Sequence, residues 1–313
     1  VGSGAFLVGM IQVLDEIEQD LKLRIGIKDI DAFERKNRII AQSLYGVEVK
    51  EWAVWICQLR LWLSLFIEAP DEMKNSFEPI LPSLDFKVRQ GDSLVQRVGS
   101  KSFPVSGHAM VGETVKRKVT QLKNLKNEYF GNKTPIKEWE IRQRELAIYD
   151  EILQSEIAEE TSVLKSLKNA KPEKQYTFDD PDKKTEQTEF NFNKEKIEQL
   201  ESEINELRDQ KQNIRKDKPL VWNIEFAEIF LDSGGFDIVI GNPPYVRQED
   251  IADPTGKIKD KKQYKEFLAE MVRLDFPNDF PPKYKINAQS DLYAYFYIRA
   301  LRLLNPKGIH TFI

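Results

Sequence analysis

The run Phe236-Asp237-Ile238-Val239-Ile240, followed at once by Gly241-Asn242-Pro243-Pro244-Tyr245, constrains the fold of this chain more than any other feature. A nearly continuous apolar strand suits a parallel sheet covered on both faces. Two successive prolines cannot continue a sheet ladder, so the chain has to leave the sheet there in a fixed, extended turn. Parallel strands also need long crossover connections, usually helices. The rest of the sequence supplies them. A Gly-rich turn leads into a predicted helix over 5–21, and a short strand over 44–49 precedes a helix over 51–66 that is apolar on almost every face. A further strand is predicted over 86–89. A helix over 292–304 is stopped by Asn305-Pro306-Lys307-Gly308 before a last strand over 309–313. Strand–helix repetition of this kind predicts an α/β fold with a doubly wound, mostly parallel sheet.

Composition closes off several function classes. The chain has 313 residues, a formal net charge of −4, one cysteine and two histidines. Its length suggests about two domains. Cys57 alone excludes a disulfide framework and a multi-cysteine zinc site. His108 and His310 leave little material for a histidine-rich metal centre or a Ser-His-Asp hydrolase, so no metal site is expected. The longest apolar run, 52–67, is interrupted by Gln58 and Arg60 and is too short and polar to span a bilayer. No secretory signal opens the chain. These features together read as a cytoplasmic protein with no membrane contact. Mild acidity does not advertise a nucleic-acid surface, so any such surface is local or lies outside this chain. Both ends read as cut. Val1 already stands inside a Gly-rich motif, and 309–313 lacks a following turn signal, so the expectation is a fragment truncated at both ends.

Charge is concentrated in one stretch. From Glu113 to Lys218, 45 of 106 positions are charged, against 53 of the other 207, a shift that marks off a separate segment. Within it Ile197, Leu200, Ile204, Leu207 and Ile214 follow helical spacing, with Lys211 in the slot that is not apolar. Leu146, Tyr149, Leu153, Ile157, Leu164 and Leu167 keep a similar stripe. Gly131 to Pro135 and Lys171 to Asp182 break the stretch into three helices. The expected organisation is a first part of one α/β domain over 1–100, a coiled-coil-like helical insertion over 113–218, and the second part over 219–313. Such an arm is available to a protein partner.

Four motifs carry chemistry, and each alone has a plainer structural account. Val1-Gly2-Ser3-Gly4-Ala5-Phe6 lets a backbone approach a ligand closely at a helix N-terminus, where N–H donors are free. It lacks the third glycine of the dinucleotide fingerprint, which disfavours NAD and FAD. Glu48 ends the strand over 44–49, where an acid can accept hydrogen bonds from ribose hydroxyls. Gly91-Asp92-Ser93-Leu94 follows the strand over 86–89 and would otherwise be a simple turn. Ligands of a doubly wound sheet bind at the C-terminal ends of its strands, and these motifs share that placement. In the fourth motif the Asn242 amide and the Pro243 carbonyl present two acceptors beside the Tyr245 ring. That set suits a planar group carrying an NH2. A rigid strand exit with Tyr245 filling a core gap is the competing account.

As an ordered set, Val1 to Phe6, Tyr45-Gly46-Val47-Glu48, Gly91-Asp92-Ser93-Leu94 and Asn242 to Tyr245 resemble the motifs of amino-group DNA methyltransferases that use S-adenosyl-L-methionine. Trp222-Asn223-Ile224-Glu225-Phe226 through Gly241, and Asp291-Leu292-Tyr293-Ala294-Tyr295-Phe296, are similar to the large adenine-specific methylases of type II and type IIG restriction-modification systems. The resemblance covers most of 1–100 and 219–313; the charged stretch shares only its position. It implies a class I, Rossmann-like methyltransferase fold. It also implies that Gly2, Ser3, Gly4 and Phe6 cradle the methionine end of the cofactor, that Glu48 holds its ribose, and that Asp92 and Leu94 hold its adenine. Asn242 and Pro243, in a turn fixed by Pro244, would bind the 6-amino group of an adenine flipped out of double-stranded DNA, and Tyr245 would stack on that base. The family's first motif normally begins before the residue that stands here as Val1, and a DNA-recognition domain is expected after Ile313. The fragment alone is therefore not expected to be active. Protein-glutamine and RNA amino-group methyltransferases share such turns and stay open as alternatives. So does a non-catalytic scaffold in a phage-defence complex.

Overall fold

The structure, a computed structural model, describes residues 1–28, 31–75, 84–105, 112–131, 136–169, 185–281 and 290–313, and of 185–193 the backbone course only. His108 and the helix breaks expected at 132–135 and 171–182 lie outside the described residues.

Apolar residues at helical spacing build the first layer. Helix α1 (Ala5–Ile25) buries Leu7 and Ile11, and α2 (Ala32–Ser43) buries Phe33, Ile39 and Ile40. Asp31 starts α2 by accepting the Phe33 N–H on its side chain (3.0 Å), which satisfies one orphan donor of the first turn. Strands β1 (Gly46–Glu48) and β2 (Val88–Gln90) pair in parallel with Val47 opposite Arg89. Between them runs α3 (Glu51–Phe66), whose Cys57, Leu61 and Leu65 are fully buried in the core that α1 and α2 share. Trp52, Trp55 and Leu59 on its other face are exposed. A one-turn helix α4 (Asp71–Lys74) follows. Strands β3 (Arg97–Val98) and β4 (Lys101–Ser102) pair with each other.

The charged stretch forms α5 (Glu113–Phe130), α6 (Glu138–Asn169) and α7 (Thr185–Gln212). Short helices α8 (Trp222–Glu225) and α9 (Ala227–Asp232) lead into β5 (Phe236–Gly241). Helices α10 (Lys261–Asp275) and α11 (Leu292–Leu303) then precede β6 (Leu304–Phe312), which lies parallel to β5 with Ile238 opposite Ile309. Helices α2 and α10 are additions to the sequence reading. Strand β6 begins earlier than predicted, directly at the end of α11. The Asn305–Gly308 turn is taken up where the register shifts between Phe236 and Ile238. Asn305 stabilises it by donating to Asp237 (2.6 Å) and accepting the Lys307 N–H (2.9 Å).

The parallel sense of the strands agrees with expectation; their union into one sheet does not. Among the described residues β1 is laddered to β2 and β5 to β6, so the predicted continuous, doubly wound sheet is corrected to two separate parallel pairs. Residues of β1 and of β5 line one cavity, so the two strands border open space there and share no ladder. One hydrogen bond from the Val1 nitrogen to the Val47 carbonyl (2.9 Å) touches β1 there. Strand β5 is consequently half-buried and not covered on both faces, with Ile238 49% exposed.

The chain folds as two compact units: Val1–Arg97, Ser102–Glu145 and Pro219–Ile313 form the first, Val98–Lys101 and Leu146–Lys218 the second. In the first, α5 packs on α9 and buries Leu122 and Lys126 completely. In the second, Tyr149, Leu153 and Ile157 of α6 and Leu200, Ile204 and Leu207 of α7 are buried, the residues of the two apolar stripes. Among the described residues no helix is long and apolar enough to cross a membrane.

Candidate functional site

A cavity of about 970 Å³ opens in the first unit where the ends of β1, β2 and β5 converge on the start of α1. Gly2 and Gly4 shape the floor of this space with positive φ angles of 55° and 88°. A Cβ on Gly4 would stand 2.6 Å from Cys57 Sγ, so only glycine lets α1 begin this close to α3. No side chain caps α1 at Gly4, which leaves first-turn N–H groups for a ligand. Arg60 fixes Ser3 by donating to its hydroxyl (2.9 Å) and its carbonyl (3.2 Å). Gly2, Ser3 and Phe6 line the cavity, while Gly4 lies beneath it, buried against Cys57.

Two carboxylates face the same space. Glu48 accepts the Gly2 N–H on Oε2 (2.9 Å) and the Lys50 N–H on Oε1 (3.1 Å). Each of its oxygens retains a lone pair for a ligand hydroxyl. Asp92 accepts the Leu94 N–H on Oδ1 (2.8 Å) and the Tyr264 hydroxyl on Oδ2 (2.7 Å). Burial pushes the Asp92 pKa up, and those hydrogen bonds work against the shift. The turn carrying Asp92 is held by Trp222, whose indole N–H donates to the Ser93 carbonyl (3.1 Å). Arg299 holds it too, donating to the Leu94 carbonyl while paired with Asp275 (2.6 Å). Leu94 is buried and lines the cavity.

The strand exit behaves as its prolines require. Asn242, Pro243 and Pro244 line the cavity, Asn242 exposed and Pro243 buried. The backbone then turns back, with the Val246 N–H on the Pro244 carbonyl (3.0 Å). The Asp291-Leu292-Tyr293 stretch straps the segment that follows: Asp291 accepts the Gln248 N–H (2.9 Å) and Leu292 donates to the Val246 carbonyl (3.1 Å). Tyr245 does not fill a core gap. It is 77% exposed, its ring nearly parallel to that of Tyr293 at 5.9 Å, and its hydroxyl donates to the Ile313 carbonyl (3.1 Å). Like Gly4, it stands outside the cavity lining.

Sequence reasoning missed Tyr264 of α10 and Arg299 of α11 in the cavity wall, and gave Leu292 and Phe296 of the Asp291–Phe296 stretch no role there. A signal for α10 was present. Asp260 accepts the Lys262 N–H (2.9 Å) as an N-cap, and Tyr264, Leu268, Met271 and Val272 follow helical spacing on its buried face. Among the described residues no group of three or more His, Cys, Asp or Glu is disposed to hold a metal ion.

A family model described as "Eco57I restriction-modification methylase" matches residues 42–313. The chain is 26% identical, over 325 aligned positions, to the protein named "Putative type II restriction enzyme and methyltransferase RM.MjaORFECS2P" of Methanocaldococcus jannaschii. That alignment covers all of this chain and 25% of the other, so the chain spans about a quarter of its relative's length. No solved structure matches the chain.

Proposed function

The chain belongs to the Eco57I restriction-modification methylase family, and from that premise we propose that it carries the methyl-transfer site of a DNA methyltransferase in a restriction-modification system. The donor in this proposal is S-adenosyl-L-methionine and the acceptor is the N6 amino group of an adenine flipped from double-stranded DNA. A cytoplasmic setting, and a protein partner met through the helical insertion at 113–218, belong to the same proposal. The observation that carries it is convergence: the Gly-rich turn, Glu48, Asp92 and the Asn242-Pro243-Pro244 turn, far apart in sequence, line one cavity.

The residues fit the cofactor. A space of about 970 Å³ lies at the upper end of the range for small-molecule sites. Gly2, Ser3 and Phe6, above the buried Gly4, would hold the amino-acid end against the free N–H groups of α1. Glu48 would accept ribose hydroxyls, and Asp92 with Leu94 would take the adenine. When bound, S-adenosyl-L-methionine supplies an electrophilic methyl group.

The chain's own part is positioning and electrostatics. The lone pair of an adenine amine is delocalised into the ring, which makes it a poor nucleophile. The Asn242 amide oxygen and the Pro243 carbonyl would accept its two N–H bonds and localise that lone pair away from the ring. Acceptors fixed in advance matter most as the nitrogen gains positive charge. Tyr245, exposed and already parallel to Tyr293, offers its ring face to an extruded base. Stacking worth about 1–3 kcal/mol would offset part of the unstacking cost of a few kcal/mol.

The test is single-turnover methylation of duplex DNA by the complete protein, with S-adenosylhomocysteine affinity measured beside it. Asn242→Ala should slow transfer by on the order of a hundredfold with little change in cofactor affinity. A wild-type rate from that variant removes the turn from catalysis. Transfer by the wild type to RNA or to a glutamine-bearing protein, and not to DNA, would reassign the acceptor.

A further inference from the structure

Tyr264 is buried to 1% exposure, and the polar end of its side chain is directed at a functional carboxylate. It sits in the first third of α10, on the face that packs Leu268 and Val272 against Leu94, Ile251 and Tyr295. From that apolar setting its hydroxyl donates to Asp92 Oδ2 at 2.7 Å, and both residues line the cavity. The charged neighbours of Asp92 are engaged elsewhere. Arg299 is paired with Asp275 and bonded to the Leu94 carbonyl, while Asp253 accepts the Thr255 and Ile258 N–H groups (2.8 Å each). Asp92 is thus held by neutral donors: the Leu94 N–H on one oxygen, the Tyr264 O–H on the other, and the Val95 backbone N–H beside them.

We propose that Tyr264 is a positioning residue that keeps Asp92 a pure acceptor and aims it at the amino group of the cofactor's purine. The inference rests on the reading of this cavity as the cofactor site and deepens it by naming what selects the base. An ionised carboxylate accepts hydrogen bonds and donates none. Two backbone N–H groups and the phenol fix its orientation, and of about four lone-pair sites one remains for a ligand NH2. A purine with a carbonyl at that position would set acceptor against acceptor, a repulsive form of selectivity. Without the phenol, the buried carboxyl loses a donor that favours its ionised form. A protonated carboxyl can donate as well as accept, which erodes the preference for an amino purine.

Calorimetry on the complete protein with S-adenosylhomocysteine and S-inosylhomocysteine tests this. Wild type should prefer the amino compound by about tenfold or more, the scale of a hydrogen bond to a charged group. Tyr264→Phe keeps the ring and should weaken the amino compound about tenfold while leaving the oxo compound nearly unchanged, so the ratio collapses. Equal weakening of both, or no change in either, overturns the proposal and reduces Tyr264 to packing. If Tyr264→Phe does not fold, Asp92→Asn gives the same decision, because an amide that can donate should also lose the preference; a retained ratio overturns it. Failure of the wild type to bind either compound sinks the cofactor reading itself, and with it this inference.

Discussion

Burial penalises a charged ammonium, and Lys87 carries that penalty, with 1% exposure in the interior of the first unit. Its Nζ donates to the Tyr45 hydroxyl (2.8 Å) and lies 4.0 Å from the centre of the Tyr45 ring and 3.6 Å from that of Phe130. Burial lowers its pKa to about 7; Lys126 and Arg89 add to the shift, and Glu228 opposes it. An unfolded chain holds the same proton up to about 10.4. Between those values the unfolded state binds more protons, so stability should rise as pH increases from about 7 towards 10. Lys87→Met should abolish that rise and stabilise the protein near and below neutrality, by on the order of a few kcal/mol. Urea midpoints of both proteins at the two ends of the window check it, and parallel pH profiles would refute it. Nothing in Phe86-Lys87-Val88-Arg89 announced this. Alternation places a strand lysine on a solvent face until a helix from distant sequence covers it. Glu48 and Asp92 were legible because their meaning lies in a local feature, the end of a strand.

At the scale of elements, composition marks the whole of 113–218 as charged and solvated, yet α5 carries some of its charge inward. Lys126 is fully buried, 3.0 Å from Glu145 and 3.7 Å from Glu228, and donates to the Glu225 carbonyl on α8. Arg89 on β2 closes the cluster through Glu145 and Glu225, the latter at 2.9 Å. The cluster therefore ties α5 and the start of α6 to β2, α8 and α9. Counting charges along a sequence cannot reveal which ones meet, because Lys126 and Glu228 lie about a hundred residues apart, Arg89 and Glu225 still further, and packing decides the pairs. Breaking a buried pair leaves its partner charge uncompensated, at a cost of about 3–5 kcal/mol. Lys126→Met should destabilise the first unit by that order, since Glu228 is left with Lys87 alone while Glu145 keeps Arg89. Chemical denaturation measures it. An unchanged midpoint would mean that apolar packing around Leu122, and not the cluster, holds α5.

For the whole molecule, what the sequence made legible was local: strand positions, their parallel sense, the proline exit and the three charged helices. The interruption between β1 and β5 was not legible, because edge pairing is settled by distant segments and an apolar run looks the same whether one edge or both are laddered. The division into units is a further non-local property, and it bears on function. Every residue lining the cavity belongs to the first unit; none comes from Val98–Lys101 or Leu146–Lys218. The second unit has its own buried residues in Tyr149, Leu153, Leu200 and Leu207, and its own polar ties, Lys211 to Asp150 (3.5 Å) and Ser100 N–H to Glu156 (2.9 Å). Replacing 146–218 with a flexible Gly/Ser linker, and Val98 with serine because its cover is removed, should therefore leave the site intact. The cut retains Glu145 and so spares the buried cluster. S-adenosylhomocysteine affinity in the complete protein should stay within about twofold of wild type, as expected for changes that share no partner with the site. Circular dichroism establishes that the remainder is folded, and calorimetry reads the affinity. A folded deletion that no longer binds would show that the second unit shapes a cavity to which it contributes no lining residue.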